Sequence, residues 1–290
     1  MHKSLLCYLI SSLLITSTVH AQDDFLESLI EEENRQFATS AFKATRIINA
    51  HSIKQPDKGE LEFRISHRFG RLNGGLTELW GLDQATIHFS LEFSPLERLT
   101  LGAGRSNYNK TYDGYAKISL LKQQTGIQTI PVSVSYFTSF ESVTAPALAD
   151  IYDLKHRMYY VHQLLVARKF SRNLSLQLMP TLVHRNLTDN EDFSHDILSI
   201  GLGGRYKITR RLTFNVETFL LTDTDLYAHR EIYFPVSVGV DLQPGGHVFQ
   251  IMLSNSLPMR EVGFITATDG YWRNGDIHLG FNISRMFNLY

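Results

Sequence analysis

From Asp276 to Tyr290 the apolar side chains recur at every second position. Ile277, Leu279, Phe281, Ile283, Phe287 and Leu289 fall on one side, and His278, Gly280, Asn282, Ser284 and Asn288 on the other. The order reverses only at Arg285 and Met286. A period of two belongs to a β-strand, whose successive side chains point to opposite faces. A strand of about ten residues, apolar on one face and small or polar on the other, suits a wall between lipid and water. The closing aromatic, Tyr290, predicts that barrel assembly machinery reads this strand. An edge strand of a soluble sheet carries the same alternation, so the rest of the chain has to decide between them.

The other end of the chain points to export. His2 and Lys3 precede an apolar run from Leu5 to Ile15, and Val19-His20-Ala21 places small residues where a signal peptidase reads them. This predicts a secretory leader cut after Ala21, too short to span a bilayer. The single cysteine, Cys7, lies inside it, and Leu6 before it is not the small residue a lipoprotein signal requires. A mature chain without cysteine excludes disulfides, iron–sulfur clusters, thiolate zinc sites and cysteine nucleophiles. Its 27 basic against 29 acidic residues give no reason to expect a nucleic-acid partner. Mean hydropathy is −0.13, low for a helical membrane protein. A barrel, however, hides its apolar residues by alternation.

Three regions follow: the leader at 1–21, a distinct N-terminal segment at 22–58, and an alternating region at 59–290. Between Gln22 and Ala50, Phe25, Leu29 and Ile30 sit among Glu27, Glu31, Glu32 and Glu33 with a spacing nearer 3.6 than 2. An acidic amphipathic helix on the periplasmic side, a plug in the lumen and a disordered tail are equally open to it. The turn cluster Gln55-Pro56-Asp57-Lys58-Gly59 ends the segment.

Beyond it, period-two runs follow in quick succession. Leu61, Phe63 and Ile65 alternate with Glu62, Arg64 and Ser66; Ile87, Phe89, Leu91 and Phe93 alternate with His88, Ser90 and Glu92. Further runs start at Leu99, Tyr112, Ile130, Leu174, Leu198, Leu212, Phe234 and Phe249. The run from Met158 to Lys169 is apolar on both faces near Leu164 and Leu165, so its register stays open. With the terminal strand this predicts about twelve strands, an even number. Outward aromatics at strand ends, among them Phe63, Phe93, Tyr112, Tyr136, Phe214 and Phe287, are expected in interfacial girdles.

The connections alternate in length. Ser94–Arg98, Gln123–Gly126, Ser171–Asn173, Thr209–Arg211 and Gln243–Gly246 read as tight turns; longer loops, at 69–83, 141–157, 186–195, 222–231 and 256–275, fill most of the other gaps. Only Tyr108–Thr111 is short among the latter. Short turns on one rim and long loops on the other characterise an all-β, transmembrane, antiparallel up-and-down barrel with the short rim periplasmic. That parity predicts both termini in the periplasm. Arg98-Leu99-Thr100-Leu101, Asn173-Leu174-Ser175-Leu176 and Arg211-Leu212-Thr213-Phe214 restart strands with one polar-Leu-hydroxyl-apolar phrase.

Several phrases together carry a resemblance: Leu61 to Gly70, Leu82-Asp83-Gln84-Ala85, Gly104-Arg105-Ser106, Lys110-Thr111-Tyr112-Asp113-Gly114, Val183-His184-Arg185-Asn186, Gly245-Gly246-His247-Val248-Phe249-Gln250 and Gly275 to Arg285. From about Phe42 to Leu289 the chain resembles the membrane-bound β-barrel family of unknown function found in Bacteroidetes-type bacteria. The resemblance implies an outer-membrane barrel and supplies no activity.

In the register set by alternation, Glu62, Arg64, His88, Glu92, Lys117, Glu217 and Asp241 face inward as lumen-lining candidates. They either hold the wall together as a charge network or line a selective pore; unpaired charge in a dry lumen is costly. Ten histidines lie beyond the leader, without a His-x-His or His-Glu-x-x-His spacing, so no metal or cofactor is expected. His67, His184, His247 and His278 read as hydrogen-bonded wall residues. Asp189, Glu191, Asp192 and Asp196 crowd one loop, and Asp223 with Asp225 another. Solvated acidic loops account for these, and cation sites shared with lipopolysaccharide are the alternative. Ser66-His67, Ser90 with His88, and Ser194-His195 supply the residue types of a barrel-embedded hydrolase, but none stands in a Gly-x-Ser-x-Gly elbow. Gly74-Gly75, Gly203-Gly204 and Gly245-Gly246 read as turn or close-packing glycines.

The expected function is a porin-like, narrow or gated channel of unknown substrate and not an enzyme. A non-conducting structural or periplasm-coupled barrel is the first alternative, and a lipid hydrolase the second. The partners expected are outer-membrane lipid and lipopolysaccharide, the assembly machinery through the C-terminal strand, and a periplasmic partner for the N-terminal segment.

Overall fold

Each alternating run pairs with its neighbours in chain order. The computed structural model describes residues 36–38, 41–126, 128–188, 194–222 and 233–289. Two short strands, β1 (Gln36–Phe37) and β6 (Gln124–Thr125), pair with one another in a small unit of their own. The other twelve form a closed antiparallel barrel. These are β2 (Glu60–Arg71), β3 (Ala85–Leu96), β4 (Leu99–Ser106), β5 (Thr111–Leu121), β7 (Ser133–Val143), β8 (Met158–Lys169), β9 (Leu174–Arg185), β10 (Asp196–Lys207), β11 (Leu212–Leu221), β12 (Val236–Leu242), β13 (His247–Ser254) and β14 (His278–Asn288). β14 closes onto β2, with Ile283 opposite Ile65 and Asn282 opposite Ser66. Closure leaves none of the twelve barrel strands with an unpaired edge, as a wall in hydrocarbon requires. Among the described residues no helix is long and apolar enough to cross a membrane; the crossing elements are strands.

Alternation sorts the wall as the sequence implies. On β2, Glu62, Arg64, Ser66 and Arg68 are buried, while Phe63 is exposed on the outer face. Phe89, Leu91, Tyr112, Leu198, Ile200, Phe214 and Phe287 are exposed in the same way. The open register of β8 resolves with Val161, Gln163, Leu165 and Ala167 buried inside and His162 and Leu164 exposed outside. β14 keeps its period through Arg285 and Met286. Arg285 stands on the outer face with its guanidinium 5.0 Å from the centre of the Phe287 ring, and the register shift falls instead between His278 and Gly280. An Arg is accommodated there by lying over an aromatic at the strand end.

Two sequence expectations need correction. Gln123–Gly126 is not a tight turn: residues 122–132 form a longer connection that contains β6 and an isolated Gln124–Ile130 bridge. The long loop at 256–275 does not simply project outward. Ser256, Pro258, Met259, Arg260, Glu261, Val262, Phe264 and Ile265 are buried, and a short helix runs over Glu261–Thr266.

The interior is filled from two directions. Residues 41–55, which precede β2, lie inside the wall with Phe42, Thr45, Ile47, Ile48, Ala50 and His51 all buried. Val262, Phe264 and Ile265 of the folded-in loop join Phe42, Ile47, Ile48 and Ala50 in one apolar core with wall residues Phe137, Val161, Leu165, Met179, Val183, Ile197 and Phe219. Rings of Phe219 and Phe264 pack 5.2 Å apart. This explains why the inner face of β8 is as apolar as its outer one: the inner face meets the filling. Each large apolar side chain so buried contributes about 1.5–3 kcal/mol.

The leader, the acidic stretch Glu27 to Glu33, and Asp189, Glu191, Asp192, Asp223 and Asp225 lie outside the described residues.

Candidate functional site: the plugged lumen

An irregular backbone inside a barrel needs partners for its own N–H and C=O groups. Segment 41–55 satisfies a few of them internally: Ile47 N–H donates to Ala50 O at 2.8 Å and Ser52 N–H to Thr45 O at 2.9 Å, forming a tight turn. The wall supplies the rest. Glu217 on β11 accepts from the backbone N–H of Ile48 at 3.1 Å, Asn49 at 2.8 Å and Ala50 at 3.1 Å, so the turn forms an anion nest around one carboxylate. Gln250 donates to Ile47 O at 3.0 Å and Asn282 to Ile48 O at 3.1 Å. Gln177 accepts from Ile53 N–H and donates to His51 O, and Lys117 donates to Lys54 O at 2.6 Å and Ser52 O at 3.2 Å.

Side chains of the segment are seated too. Arg68 Nη2 donates to Asn49 Oδ1 at 2.7 Å, and Asn49 Nδ2 donates to Ser237 Oγ at 3.1 Å. Thr45 bonds both members of the Glu62–Arg64 ion pair. Ile47 packs so closely on Gly203 that a β-carbon there would stand 2.3 Å from Ile47 Cδ1. Gly203 is therefore a close-packing glycine under the plug, whereas a β-carbon at Gly204 would meet Val216 and Leu176 of the neighbouring strands.

The folded-in loop meets this segment through charge. Arg46 Nη1 lies 2.7 Å from Glu261 Oε1, and Arg260 Nη2 lies 3.2 Å from Glu261 Oε2. Arg260 Nε reaches Asp113 Oδ2 at 3.3 Å, and Asp113 Oδ1 bonds His88 Nε2 at 2.7 Å. Burial works against the charge on Arg260, but the carboxylates of Asp113, Glu261 and Glu141 outweigh it and hold the guanidinium above its ordinary value. His51 has the opposite fate. Burial, followed by the cations Arg46, Lys117, Arg260 and Arg64, pushes its imidazole well below the usual range. It is therefore neutral, wedged between the Tyr115 and Phe137 rings at 4.6 and 4.2 Å, and among the described residues neither ring nitrogen has a hydrogen-bond partner.

The seven inward candidates are all buried on the inner face: Glu62, Arg64, His88, Glu92, Lys117, Glu217 and Asp241. Glu62 and Glu92 stand directly opposite one another across β2 and β3, a like-charge pair compensated by Arg64 and by the field of Lys117 at Glu92. Glu217 and Lys117 grip the plug backbone. Asp241 accepts from Gln250 and Thr213, and His88 is bound to Asp113. These residues face the filling of the lumen, not an open bore. The polar space left among Arg46, Arg64, Ser66, His88, Ser90 and Met259 is about 10 Å³, roughly the room of a single water.

Alternation could not mark Arg46, Asn49, His51, Arg260 and Glu261, because all five lie on irregular segments. The signal at hand was the apolar Val262-Gly263-Phe264-Ile265 phrase, out of place in a solvated loop.

The serine–histidine pairs do not assemble. Ser66 is buried inside while His67 stacks outside on Phe281 at 5.0 Å. Ser194 Oγ donates to Asp196 O, and His195 Nδ1 bonds Arg185 O. Ser90 Oγ has no partner among the described residues, and His88 bonds Asp113. His184 bonds Asp196 and Asn186, and His278 bonds Phe69 O.

Three solved structures are similar to this chain. The crystal structure of the COG4313 outer membrane channel from Pseudomonas putida F1 aligns with TM-score 0.50 at 12% identity, covering 81% of this chain and 97% of that one. The NanC porin aligns with TM-score 0.49 at 10% identity over 78% of this chain and 98% of its own. For the KdgM porin the values are 0.45, 9%, 80% and 99%. Among curated proteins none matches the chain. The sequence from residue 42 to residue 287 matches the family described as membrane bound beta barrel domain (DUF5777), a span that takes in both the barrel and most of the segment inside it. The protein is a membrane-bound β-barrel with a filled lumen, and it belongs to that family.

Proposed function

We propose that the protein is a gated channel, shut in the described state by two segments that enter the lumen from opposite rims and lock together at Arg46 and Glu261. The observation that carries this reading is the way the first segment is held. Its backbone donates to Glu217 and accepts from Gln177, Gln250, Asn282 and Lys117, so withdrawing it leaves polar groups that water can satisfy. A barrel that serves only as a scaffold needs no removable filling; its own side chains can close twelve strands. The polar wall of β2, β3, β12, β13 and β14 then becomes the surface of a hydrated pore. In this reading the short-turn rim and both termini are periplasmic, the outer face meets lipid and lipopolysaccharide, and β14 engages the assembly machinery. The protein acts without catalysis.

Planar-bilayer recording of the mature chain tests the proposal. The intact protein is expected to be nearly silent, and deletion of residues 41–54 or the change Glu261→Lys to give steady conductance. Large channels from the intact protein would overturn the closed state. Silence from every correctly folded variant would remove the channel and leave a structural barrel.

A further inference from the structure

At the short-turn rim the lumen opens into a bowl of about 510 Å³, floored by Phe42 of the plug. Three separate parts of the chain deliver cations to it: Lys43 and Lys54 from the plug, Lys169 and Arg172 from the β8–β9 hairpin, and Arg205, Lys207 and Arg210 from the β10–β11 hairpin. Among the described residues lining it there is no carboxylate. Several of these cations are positioned by neutral carbonyls, which fix a charge without cancelling it. Lys43 Nζ donates to Arg210 O at 2.9 Å, Lys54 Nζ to Lys43 O at 2.7 Å, and Arg205 to Ala41 O. Burial and the neighbouring Arg205 lower the Lys43 ammonium below its ordinary value, as expected where positive charge accumulates. Asp241, the acid whose field opposes this at Lys43, is buried and occupied with Gln250 and Thr213.

We infer that this bowl is a binding site for a multivalent oxyanion, a phosphate-bearing group held by guanidinium forks and lysine ammonium groups. The volume suits a small molecule or a headgroup, and low-dielectric walls strengthen the field inside a concave basic site. Arginine supplies paired, planar donors that match phosphate oxygens, and lysine supplies point charge. The phosphate can belong to a soluble compound or to an anionic lipid of the facing leaflet. The site does not depend on the pore opening, because the bowl is present in the shut state.

The test uses the mature chain in detergent micelles, with folding checked by heat-modifiable gel mobility, and inorganic pyrophosphate as the probe at low ionic strength. Saturable binding is expected, weakened at least tenfold by the combined changes Arg172→Glu, Lys207→Glu and Arg210→Glu. The matched set Lys110→Glu, Lys155→Glu and Arg273→Glu, on the other rim, should leave it intact. A parallel arm measures retention of phosphatidylglycerol against phosphatidylcholine in nanodiscs. Loss of phosphatidylglycerol preference in the first triple variant, without pyrophosphate binding by the native chain, assigns the phosphate to lipid and upholds the site. No binding in either arm, or equal loss in both triple variants, overturns it.

Discussion

Arg46 and Glu261 are 215 residues apart in sequence and 2.7 Å apart in the lumen, both almost fully buried. One enters ahead of the first barrel strand and the other ahead of the last. Their contact is the point at which the two fillings become one body. A pair this buried stabilises little against a hydrophobic replacement, but removing one partner strands the other, at about 3–5 kcal/mol. Arg46→Ala and Glu261→Ala are therefore each expected to loosen the plug strongly. The two losses should be far from additive in a double-mutant cycle read by protease access to residues 41–55. Additive losses would mean that the two segments are held independently.

Glu217→Gln tests the nest. The amide keeps the size of the side chain but loses the charge and half of the acceptor capacity offered to three backbone N–H groups. Seating should weaken by roughly 1–3 kcal/mol, the range for a buried group left short of partners. Melting of the barrel itself should change little, because β11 keeps its ladder with β10 and β12. Faster cleavage of the N-terminal segment by added protease, with unchanged heat modifiability, is the expected result.

Gly203 sets a size limit. An added methyl meets only the far end of the Ile47 side chain, which can rotate away, so Gly203→Ala should be tolerated. Gly203→Phe cannot coexist with Ile47 in its present place and should expel the plug tip. The two variants should thus differ sharply in conductance. Equal silence from both would show that Ile47 is not needed for closure.

The strand pattern was legible in the sequence because lipid and the lumen impose opposite demands on successive residues. That pressure set the register of β2, β3, β5, β11 and most of β14, and with it the inward position of Glu62, His88, Lys117 and Glu217. It failed on β8, where Leu164 is exposed on the outer face and Leu165 faces the apolar filling, so both sides carry the same chemistry. It was silent on residues 41–55 and 255–268. Irregular segments have no period, and many of their hydrogen bonds run to wall residues more than a hundred positions away, as from Asn49 to Glu217. A loop length is likewise blind to direction: Ser256–Gly275 looks the same on paper whether it projects into solvent or folds into the barrel.

The outer face gives a prediction independent of the plug. Phe89 and Val238 stand on the outward side of β3 and β12, with Phe89 about half exposed. An arginine at either place puts charge into hydrocarbon, expected to cost about 2–4 kcal/mol near the bilayer midplane and much less near its edges. Phe89→Arg and Val238→Arg should lower the folded fraction in lipid vesicles, while Arg285, already at a strand end over Phe287, should accept Lys with little change. Full stability of both arginine variants in lipid would mean that these faces do not meet hydrocarbon.

The closed state should respond to acid through His51. In the seated plug this imidazole faces the cations Arg46, Lys117, Arg260 and Arg64, with the Glu261 carboxylate 3.9 Å away and the Tyr115 and Phe137 rings against it. Burial and those cations hold it neutral, well below its ordinary value. Released into water, the same side chain returns to an ordinary value of about 6.5. Above that pH neither state binds the proton, and the equilibrium between them is flat. Below it the released plug takes up a proton that the seated plug refuses, so seating weakens as pH falls, by at most about 1.4 kcal/mol or tenfold per pH unit. Recordings between pH 7.5 and 5 should therefore show open probability rising toward the acid end, before most surface carboxylates begin to titrate. His51→Phe keeps the contact with both rings and removes the titration, so its open probability should stay level over the same interval. A native protein indifferent to pH in this window, or a His51→Phe variant with an unchanged acid response, would assign the gate to some other group.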